Sequence, residues 1–577
     1  MKTPNASFNI GQSLNEALAM QRQGRLREAE KIYLRVLKAA PNNFDALNLL
    51  GTVKAQLGHL GEAHRLISAA VKINPGVADA WTNLGQVLHG LKRDAEALEC
   101  FDKARALAPD DVGILNHRAN ALFSLGRFDE ALAGFRQVLA RVPHHAEALI
   151  NSGSALLKLG FPEQAVAELD RAGAIAPGHP GAHYNRGIAL NALGRYADAI
   201  AANERALAAA PEHLGAWLNR GKALAALNRH NEAITSYDRA TAIRKDYADA
   251  HFNKALALLT LGDYRRGFEE YEWRWRRTGM PAQRSRGRPL WLGEFPLARK
   301  TVLLHAEQGL GDTIQFARYV PLLAKTGAKV VLEVQPQLTT LMARLDGAAE
   351  IVTSGDASPP FDVHCPLGSL PLAFKTEPAT VPAQIPYLTA GEADLAKWSA
   401  AIGARDQPRI ALAWSGNASH DNDRNRSIVF SRLASLCSVP ARLVSIQREV
   451  RDADAAPLAG ESRVTHVGGK LENFTDTAAV IALCDLVISV DTAVAHLAGA
   501  MGRPVWVLLP FQPDWRWTLE GETTPWYPTA RLFRQKTLGD WGGVIERVVA
   551  ELRRFIAASN GQSAYGGETL GRQSMGS

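Results

Sequence analysis

The sequence predicts two structural classes in one chain: an all-α array of repeated helix pairs, followed by an α/β half built as two lobes on parallel sheets. Three observations support this. Prolines recur at a fixed interval as far as Pro211, and segments that alternate strand, glycine turn and helix follow Pro289. The 577 residues are also too many for one ordinary domain.

The first half has a period of 34 residues, marked by Pro41, Pro75, Pro109, Pro143, Pro177 and Pro211. An alanine stands twelve residues before each proline, and another small residue stands twelve before that alanine. Small residues let two antiparallel helices approach closely, and proline ends the second helix. This is the pattern of tetratricopeptide repeats. We predict seven repeats and a capping helix pair over residues 10–277, forming a superhelix whose concave surface binds polypeptide.

One polar position recurs on the first helices of these repeats. It is asparagine at Asn15, Asn83, Asn151, Asn185, Asn219 and Asn253, and it is broken by Leu49 and His117. A ladder of side-chain amides can bind an extended peptide backbone through its donors and acceptors. The alternative is that each asparagine hydrogen-bonds within or between neighbouring repeats. We predict acceptor binding at Asn83, Asn151, Asn185, Asn219 and Asn253, with both readings open.

A basic segment separates the two halves. Residues 272–288 contain six arginines, and we interpret them as a solvated stretch leading into a linker over 278–299. A patch for an acidic ligand or a membrane surface is the alternative.

The second half alternates strands and helices. Residues 300–334 read as strand, glycine turn, helix and strand, and a second such series begins at residue 408. This alternation is typical of parallel α/β units, in which the loops at strand ends carry the chemistry. We predict two Rossmann-like lobes, 300–390 and 408–558, joined by a connector over 391–407 and followed by a disordered tail over 559–577.

Two strand-to-helix turns carry the candidate functional residues. In "GLGDT", Gly309 and Gly311 allow a tight turn, and we predict that both contribute to donor binding. Asp312 stands at the helix start, either as an N-cap or as a carboxylate aimed at a reacting hydroxyl. In "DTAVAH", Asp491, Thr492 and His496 lie at the start of a helix, where free N–H groups favour a phosphate.

These two motifs, in this order, resemble the lipopolysaccharide heptosyltransferase family, over roughly residues 300–556. The resemblance implies a GT-B fold, a general base at Asp312 and a nucleotide-sugar site at Asp491, Thr492 and His496. That family usually has a lysine in the loop after the first C-lobe strand. This chain has Arg424 and Arg426 there, preceded by Ser415, Gly416 and Asn417. We expect the helix start at Thr492, together with Ser415, Gly416, Asn417 and one of the two arginines, to hold the diphosphate. We expect Gln447 to contact the nucleotide base.

The architecture of repeats followed by GT-B is similar to that of the O-linked N-acetylglucosamine transferases, whose repeats carry an asparagine ladder at this same position. We therefore predict a glycosyltransferase whose acceptor is a protein held by the repeats. The alternatives are a non-catalytic repeat scaffold, and a glycan transferase with an interaction arm.

The composition bears on the compartment, on nucleic-acid binding and on metal dependence. Four scattered cysteines argue against a disulfide framework or a zinc site and favour a reducing compartment, so we predict a cytoplasmic protein. The net charge of +7 is too small for this length to indicate nucleic acid. Without an acidic metal-binding pair, we expect a metal-independent enzyme that needs no cofactor beyond its nucleotide-sugar co-substrate.

Overall fold

The computed structural model describes residues 9–279, 287–420 and 422–565. The chain divides into two compact units, residues 1–223 and residues 224–577. A helix that spans the division, α13, runs from Leu214 to Ala226.

The first unit consists of antiparallel helix pairs. Its helices are α1 (Ile10–Arg22), α2 (Leu26–Ala39), α3 (Phe44–Gln56), α4 (Leu60–Ile73), α5 (Ala78–Gly90), α6 (Asp94–Leu107), α7 (Val112–Ser124), α8 (Phe128–Arg141), α9 (Ala146–Lys158), α10 (Pro162–Ile175), α11 (Pro180–Ala192) and α12 (Tyr196–Ala209). The small residues lie where the helices of a pair touch. A Cβ added to Gly85 would lie 2.6 Å from the Phe101 ring, which shows why a small residue recurs there.

The second unit begins with the last helices of the array, α14 (His230–Ile243), α15 (Ala248–Thr260) and α16 (Tyr264–Tyr271). Helices α15 and α16 share a hydrophobic core with the α/β half. The Tyr264 hydroxyl accepts a hydrogen bond from Trp526 Nε1 at 2.9 Å, and the Tyr264 ring also packs edge-on against Trp515. Aromatic residues of the last helix pair therefore belong to the core of the second unit, and the end of the repeats at residue 277 stays a prediction.

Two parallel sheets form the α/β half. The N-lobe sheet has the order β3-β2-β1-β4 and the C-lobe sheet has the order β10-β9-β8-β5-β6-β7. The strands are β1 (Thr301–His305), β2 (Lys329–Val334), β3 (Ala348–Thr353), β4 (Val363–Pro366), β5 (Arg409–Ala413), β6 (Arg442–Ser445), β7 (Val464–His466), β8 (Leu486–Val490), β9 (Val505–Leu509) and β10 (Ala530–Arg534). Strands β1, β5, β8 and β9 are almost entirely buried, as parallel strands covered on both faces must be.

Helices connect the strands of both lobes. They are α17 (Leu310–Phe316), α18 (Val320–Lys325), α19 (Thr339–Met342), α20 (Leu370–Ala373), α21 (Glu392–Ala401), α22 (Asp423–Arg426), α23 (Asp452–Gly460), α24 (Phe474–Leu483), α25 (Ala493–Ala500) and α26 (Trp541–Tyr565). The predicted fold class, a tetratricopeptide array followed by a two-lobed GT-B fold, is confirmed. Helix α26 continues past residue 558 to Tyr565, and the remainder of the predicted tail lies outside the described residues.

Candidate active site

Each sheet has a point where its strand order reverses, and ligands of open α/β sheets bind beyond the carboxyl ends of the strands there. In the N-lobe this point lies between β1 and β4. Strand β1 leads through Gly309 into α17, and Asp312 is the third residue of that helix. The Asp312 carboxylate accepts a hydrogen bond from the Gly309 N–H at 2.9 Å through Oδ2. Asp312 therefore binds the helix start from within the first turn, and Gly309 occupies the N-cap position that we considered for Asp312.

In the C-lobe the strand order reverses between β5 and β8. The loop after β5, with Ser415 and Gly416, consequently lies beside the turn after β8, with Asp491 and Thr492. Arg426 joins the two segments, because its Nη1 donates to the Asp491 main-chain oxygen at 3.0 Å. Its guanidinium also lies against Gly416, where an added Cβ would be 2.6 Å from Nη2. The structure thus places the cation expected of Arg426 next to the start of α25.

The two turns touch each other across the cleft between the lobes. A Cβ added to Gly311 would lie 2.9 Å from His496 Cδ2 and 3.5 Å from Ala493 Cα. Only glycine allows α17 to approach α25 this closely. The sequence-predicted residues Asp312 and His496, from different lobes, are brought to one place by this contact.

His496 is buried and uncharged. Its Nδ1 is hydrogen-bonded with the Tyr527 hydroxyl at 2.9 Å, and its ring stacks on Trp517 with 5.2 Å between centroids. Burial, together with the positive charges of Arg516 and Arg318, holds the pKa of His496 well below its usual range. A neutral ring can offer a ligand a hydrogen bond but not a charge.

Asp491 lies beside His496, with its Oδ1 3.9 Å from His496 Nε2. Burial, reinforced by the negative charge of Asp514, raises the pKa of Asp491. Thr492 is the N-cap residue of α25, but its hydroxyl lies 3.1 Å from Ser489 Oγ and makes no capping bond. These perturbed groups cluster beside Asp312, as titratable groups do at functional sites.

Sequence reasoning missed one residue at the centre of this cluster, Arg516. It lies on the turn Trp515–Trp517, and its Nη2 donates to Asp312 Oδ1. Its Nη1 donates to Asp514 Oδ1 at 2.8 Å, and its Nε donates to Gln315 Oε1. Burial alone would lower the pKa of Arg516, but Asp514 and Asp312 raise it above its usual value. In the sequence, the feature that could have indicated Arg516 is its place between two tryptophans in the loop after β9.

Comparison with known proteins gives matches within both halves of the chain. Residues 14–58, 50–112, 117–180 and 150–213 match a tetratricopeptide repeat profile, and residues 221–262 match a second TPR repeat profile. Residues 440–537 match the profile of glycosyltransferase family 9 (heptosyltransferase). The chain carries tetratricopeptide repeats and a glycosyltransferase family 9 domain. The family 9 match contains Asp491, Thr492, His496 and Arg516.

Among curated proteins, the chain is similar to Protein FlbA of Caulobacter vibrioides, with 26% identity over 299 residues. The match covers 46% of this chain and 48% of FlbA, so the chain spans about half the length of that relative.

Among solved structures, it is similar to YrrB, described as a TPR protein with an unusual peptide-binding site, at 23% identity and a TM-score of 0.29, over 33% of this chain and 98% of YrrB. It is also similar to TTC0263, a thermophilic TPR protein of Thermus thermophilus, at 25% identity and a TM-score of 0.28, over 32% of this chain and all of TTC0263.

Gln447, which we expected to contact the nucleotide base, uses its side-chain amide within the protein. Its Oε1 accepts from the main-chain N–H groups of Trp414 and Ser415 at 2.9 and 3.1 Å. Its Nε2 donates to the main-chain oxygens of Ser415 and Glu449 at 3.0 and 3.1 Å. A side-chain amide has two donors and two acceptor lone pairs, so all of its capacity is used. Gln447 holds the loop after β5 in place.

The other residues of that loop differ in how they could meet a ligand. Ser415 is buried, and its Oγ has no hydrogen-bond partner among the described residues, which leaves the hydroxyl available. Asn417 is exposed and accepts from Ser419, and Arg424 is exposed on α22. Arg451, which sequence reasoning also missed, supports the loop by donating to Gly416 O at 3.2 Å and to Asp423 at 2.6 Å.

The asparagine ladder makes bonds inside the repeats. Asn83 Nδ2 donates to Asn48, Asn151 Nδ2 to Asn120, and Asn185 Nδ2 to Ser154, at 3.2, 2.9 and 2.8 Å. Asn253 Nδ2 donates to Asp249 O in its own helix at 2.7 Å, and the main-chain oxygen of Asn219 accepts from Asn191. Asn83, Asn151, Asn185 and Asn253 therefore each donate one of their two amide N–H groups inside the array, as the structural alternative requires. Peptide binding by the ladder stays a prediction.

The basic segment is partly buried rather than solvated. Arg274 is 1% exposed and donates to Glu272 Oε1, Glu307 Oε1 and Ser369 Oγ at 2.6, 3.2 and 2.7 Å. Nearby, the Tyr271 hydroxyl and the Gln308 amide hydrogen-bond each other. These contacts connect the end of the array to the loop between β1 and α17. Arg284 and Arg286 of this segment lie outside the described residues.

Two absences hold for the part of the chain that the structure describes. Over those residues, no three or more histidine, cysteine or acidic side chains cluster in a way that could hold a metal ion. Over the same residues, no helix is both long and apolar enough to cross a membrane.

Proposed function

We propose that the chain transfers a sugar from a nucleotide-sugar donor to a hydroxyl group of a protein bound by its repeats. The observation that carries the proposal is the meeting of the two strand-end turns, through Gly311 and His496, in a domain related to family 9 glycosyltransferases. The meeting brings a partly exposed carboxylate, Asp312, to a cleft whose other side holds Arg426 and the start of α25.

In the proposed reaction Asp312 is the general base. It takes the proton of the acceptor hydroxyl as that oxygen bonds to the anomeric carbon of the donor. The bond from the anomeric carbon to the phosphate oxygen breaks, and a nucleoside diphosphate leaves. The Asp312 side chain is 26% exposed, so an acceptor can reach it.

The C-lobe would hold the departing diphosphate. Arg426 supplies a positive charge, the N–H groups at the start of α25 supply donors, and the Ser415 hydroxyl supplies another. Stabilising the charge that develops on the leaving group is usually the largest catalytic contribution. We propose that these groups suffice without a divalent metal ion, so that activity persists in a chelator.

The test uses the purified full-length chain and radiolabelled nucleotide sugars with different bases and sugars. Each is incubated with a cell extract that lacks the enzyme, and label is counted in proteinase-sensitive and in lipid-extractable material. We expect proteinase-sensitive label with one donor, and a loss of roughly a hundredfold or more in Asp312→Asn. Lipid-extractable label would identify a glycan transferase with an interaction arm. Donor binding without turnover of any donor would identify a scaffold.

A further inference from the structure

We propose that Arg516 is a positioning residue that fixes the Asp312 carboxylate for proton abstraction, and that it is not a ligand of the substrates. This inference rests on the proposed function. Arg516 belongs to the C-lobe and Asp312 to the N-lobe, so the contact ties the proposed base to the lobe that holds the donor.

Exposure separates the roles of the two residues. The Arg516 side chain is 9% exposed, whereas the Asp312 side chain is 26% exposed. Three of the five guanidinium N–H groups donate to Asp312, Asp514 and Gln315, and the group packs over the Trp515 ring at 4.4 Å. The carboxylate is therefore more open to an acceptor than the arginine is.

The charges of Asp312, Arg516 and Asp514 are compatible with proton abstraction by Asp312. Asp514 pairs with Arg516 at 2.8 Å, so two carboxylates share one guanidinium and the trio retains a negative charge. Arg516 occupies one lone pair of Oδ1, and the Gly309 N–H occupies one of Oδ2. Each carboxylate oxygen has a second lone pair. The carboxylate is therefore held in direction from both sides and keeps free acceptor positions for a hydroxyl.

The test is a double-mutant cycle on the full-length enzyme with Arg516→Gln and Asp312→Asn. If Arg516 acts through Asp312, Arg516→Gln lowers kcat by roughly ten- to hundredfold, the scale of a misplaced catalytic group, with little change in KM for the donor. The double variant should then be no slower than Asp312→Asn alone, because residues that act as a unit are not additive. Arg516→Lys should be intermediate, since an ammonium keeps the charge but loses the planar fork.

Arg534 provides the matched control. It holds the same loop by donating to the main-chain oxygens of Thr518 and Gly521, both at 2.9 Å. Among the described residues, its side-chain hydrogen bonds go to residues 517–521 and not to Asp312. If Arg534→Gln lowers kcat by disturbing this loop, its effect should multiply with that of Asp312→Asn in the double variant. Nucleoside diphosphate affinity, measured by calorimetry, should be the same in Arg516→Gln and in the wild type.

Three outcomes would overturn the inference. Multiplicative losses for Arg516→Gln and Asp312→Asn would show that Arg516 does not act through Asp312. A weakened affinity for the nucleoside diphosphate would make Arg516 a donor ligand. A wild-type chain without transfer activity would overturn the proposed function and this inference together, whereas an active wild type with multiplicative losses would overturn the inference alone.

Discussion

Gly311→Ala tests whether the contact between the two turns creates the site. The added Cβ would lie 2.9 Å from His496 Cδ2, about 0.5 Å inside ordinary van der Waals contact. The His496 ring has little freedom to move, because Tyr527 bonds its Nδ1 at 2.9 Å and Trp517 stacks on it. The strain must therefore displace α17 from α25, and overpacking of this kind costs about 1–3 kcal/mol.

Two measurements follow from this displacement. The apparent melting temperature of the full-length chain should fall by about 2–6 °C. Transfer activity should fall further than this loss of stability explains, by roughly tenfold or more, because Asp312 moves with α17. Gly460→Ala is the control, since an added Cβ there meets nothing within 4 Å. Unchanged melting and activity in Gly311→Ala would refute the close approach of the two turns.

Three other perturbations have defined outcomes. Arg426→Ala should weaken nucleoside diphosphate binding by about 1.5–3 kcal/mol in calorimetry, the usual contribution of a charge-assisted hydrogen bond, and an unchanged affinity would place the diphosphate elsewhere. Burial raises the pKa of Glu307 to about 7 from 4.5, so its stabilising contribution is complete below pH 4.5 and is lost as the pH rises to 7. Melting curves from pH 4 to 8 should therefore show this loss in the wild type but not in Glu307→Gln, and parallel curves would contradict the assignment. The third perturbation replaces four ladder asparagines together by alanine: Asn151, Asn185, Asn219 and Asn253. This variant should transfer less sugar to protein but should hydrolyse the donor normally. A normal rate of protein modification would show that the ladder is purely structural.

The sequence was sufficient for features that depend on local patterns. The 34-residue period predicts helix pairs because each repeat makes the same contacts, as Gly85 against Phe101 illustrates. The two lobes follow from the alternation of strands and helices. The turns with Asp312 and His496 could be singled out because strand ends carry chemistry in parallel sheets.

Features that depend on contacts between distant segments could not be predicted. Arg516 bonds a carboxylate 204 residues earlier in the chain, and no local pattern indicates that partner. Gln447 stands at a strand end like a ligand-binding residue, yet its amide is used by the backbone of a neighbouring loop. The compact units divide after residue 223, and Tyr264 of the last helix pair packs on aromatic residues about 250 positions later in the chain. Each of these features depends on a tertiary contact that the local sequence does not indicate.

We propose that the chain transfers a sugar to protein and that Asp312 is the general base of this reaction. The most direct measurement compares the wild type with Asp312→Asn for incorporation of label from a nucleotide sugar into proteinase-sensitive material, alongside calorimetric binding of the same nucleoside diphosphate. We expect the wild type and the variant to bind the nucleoside diphosphate equally, and the variant to lose incorporation by roughly a hundredfold or more. Equal incorporation by a correctly folded Asp312→Asn would contradict it.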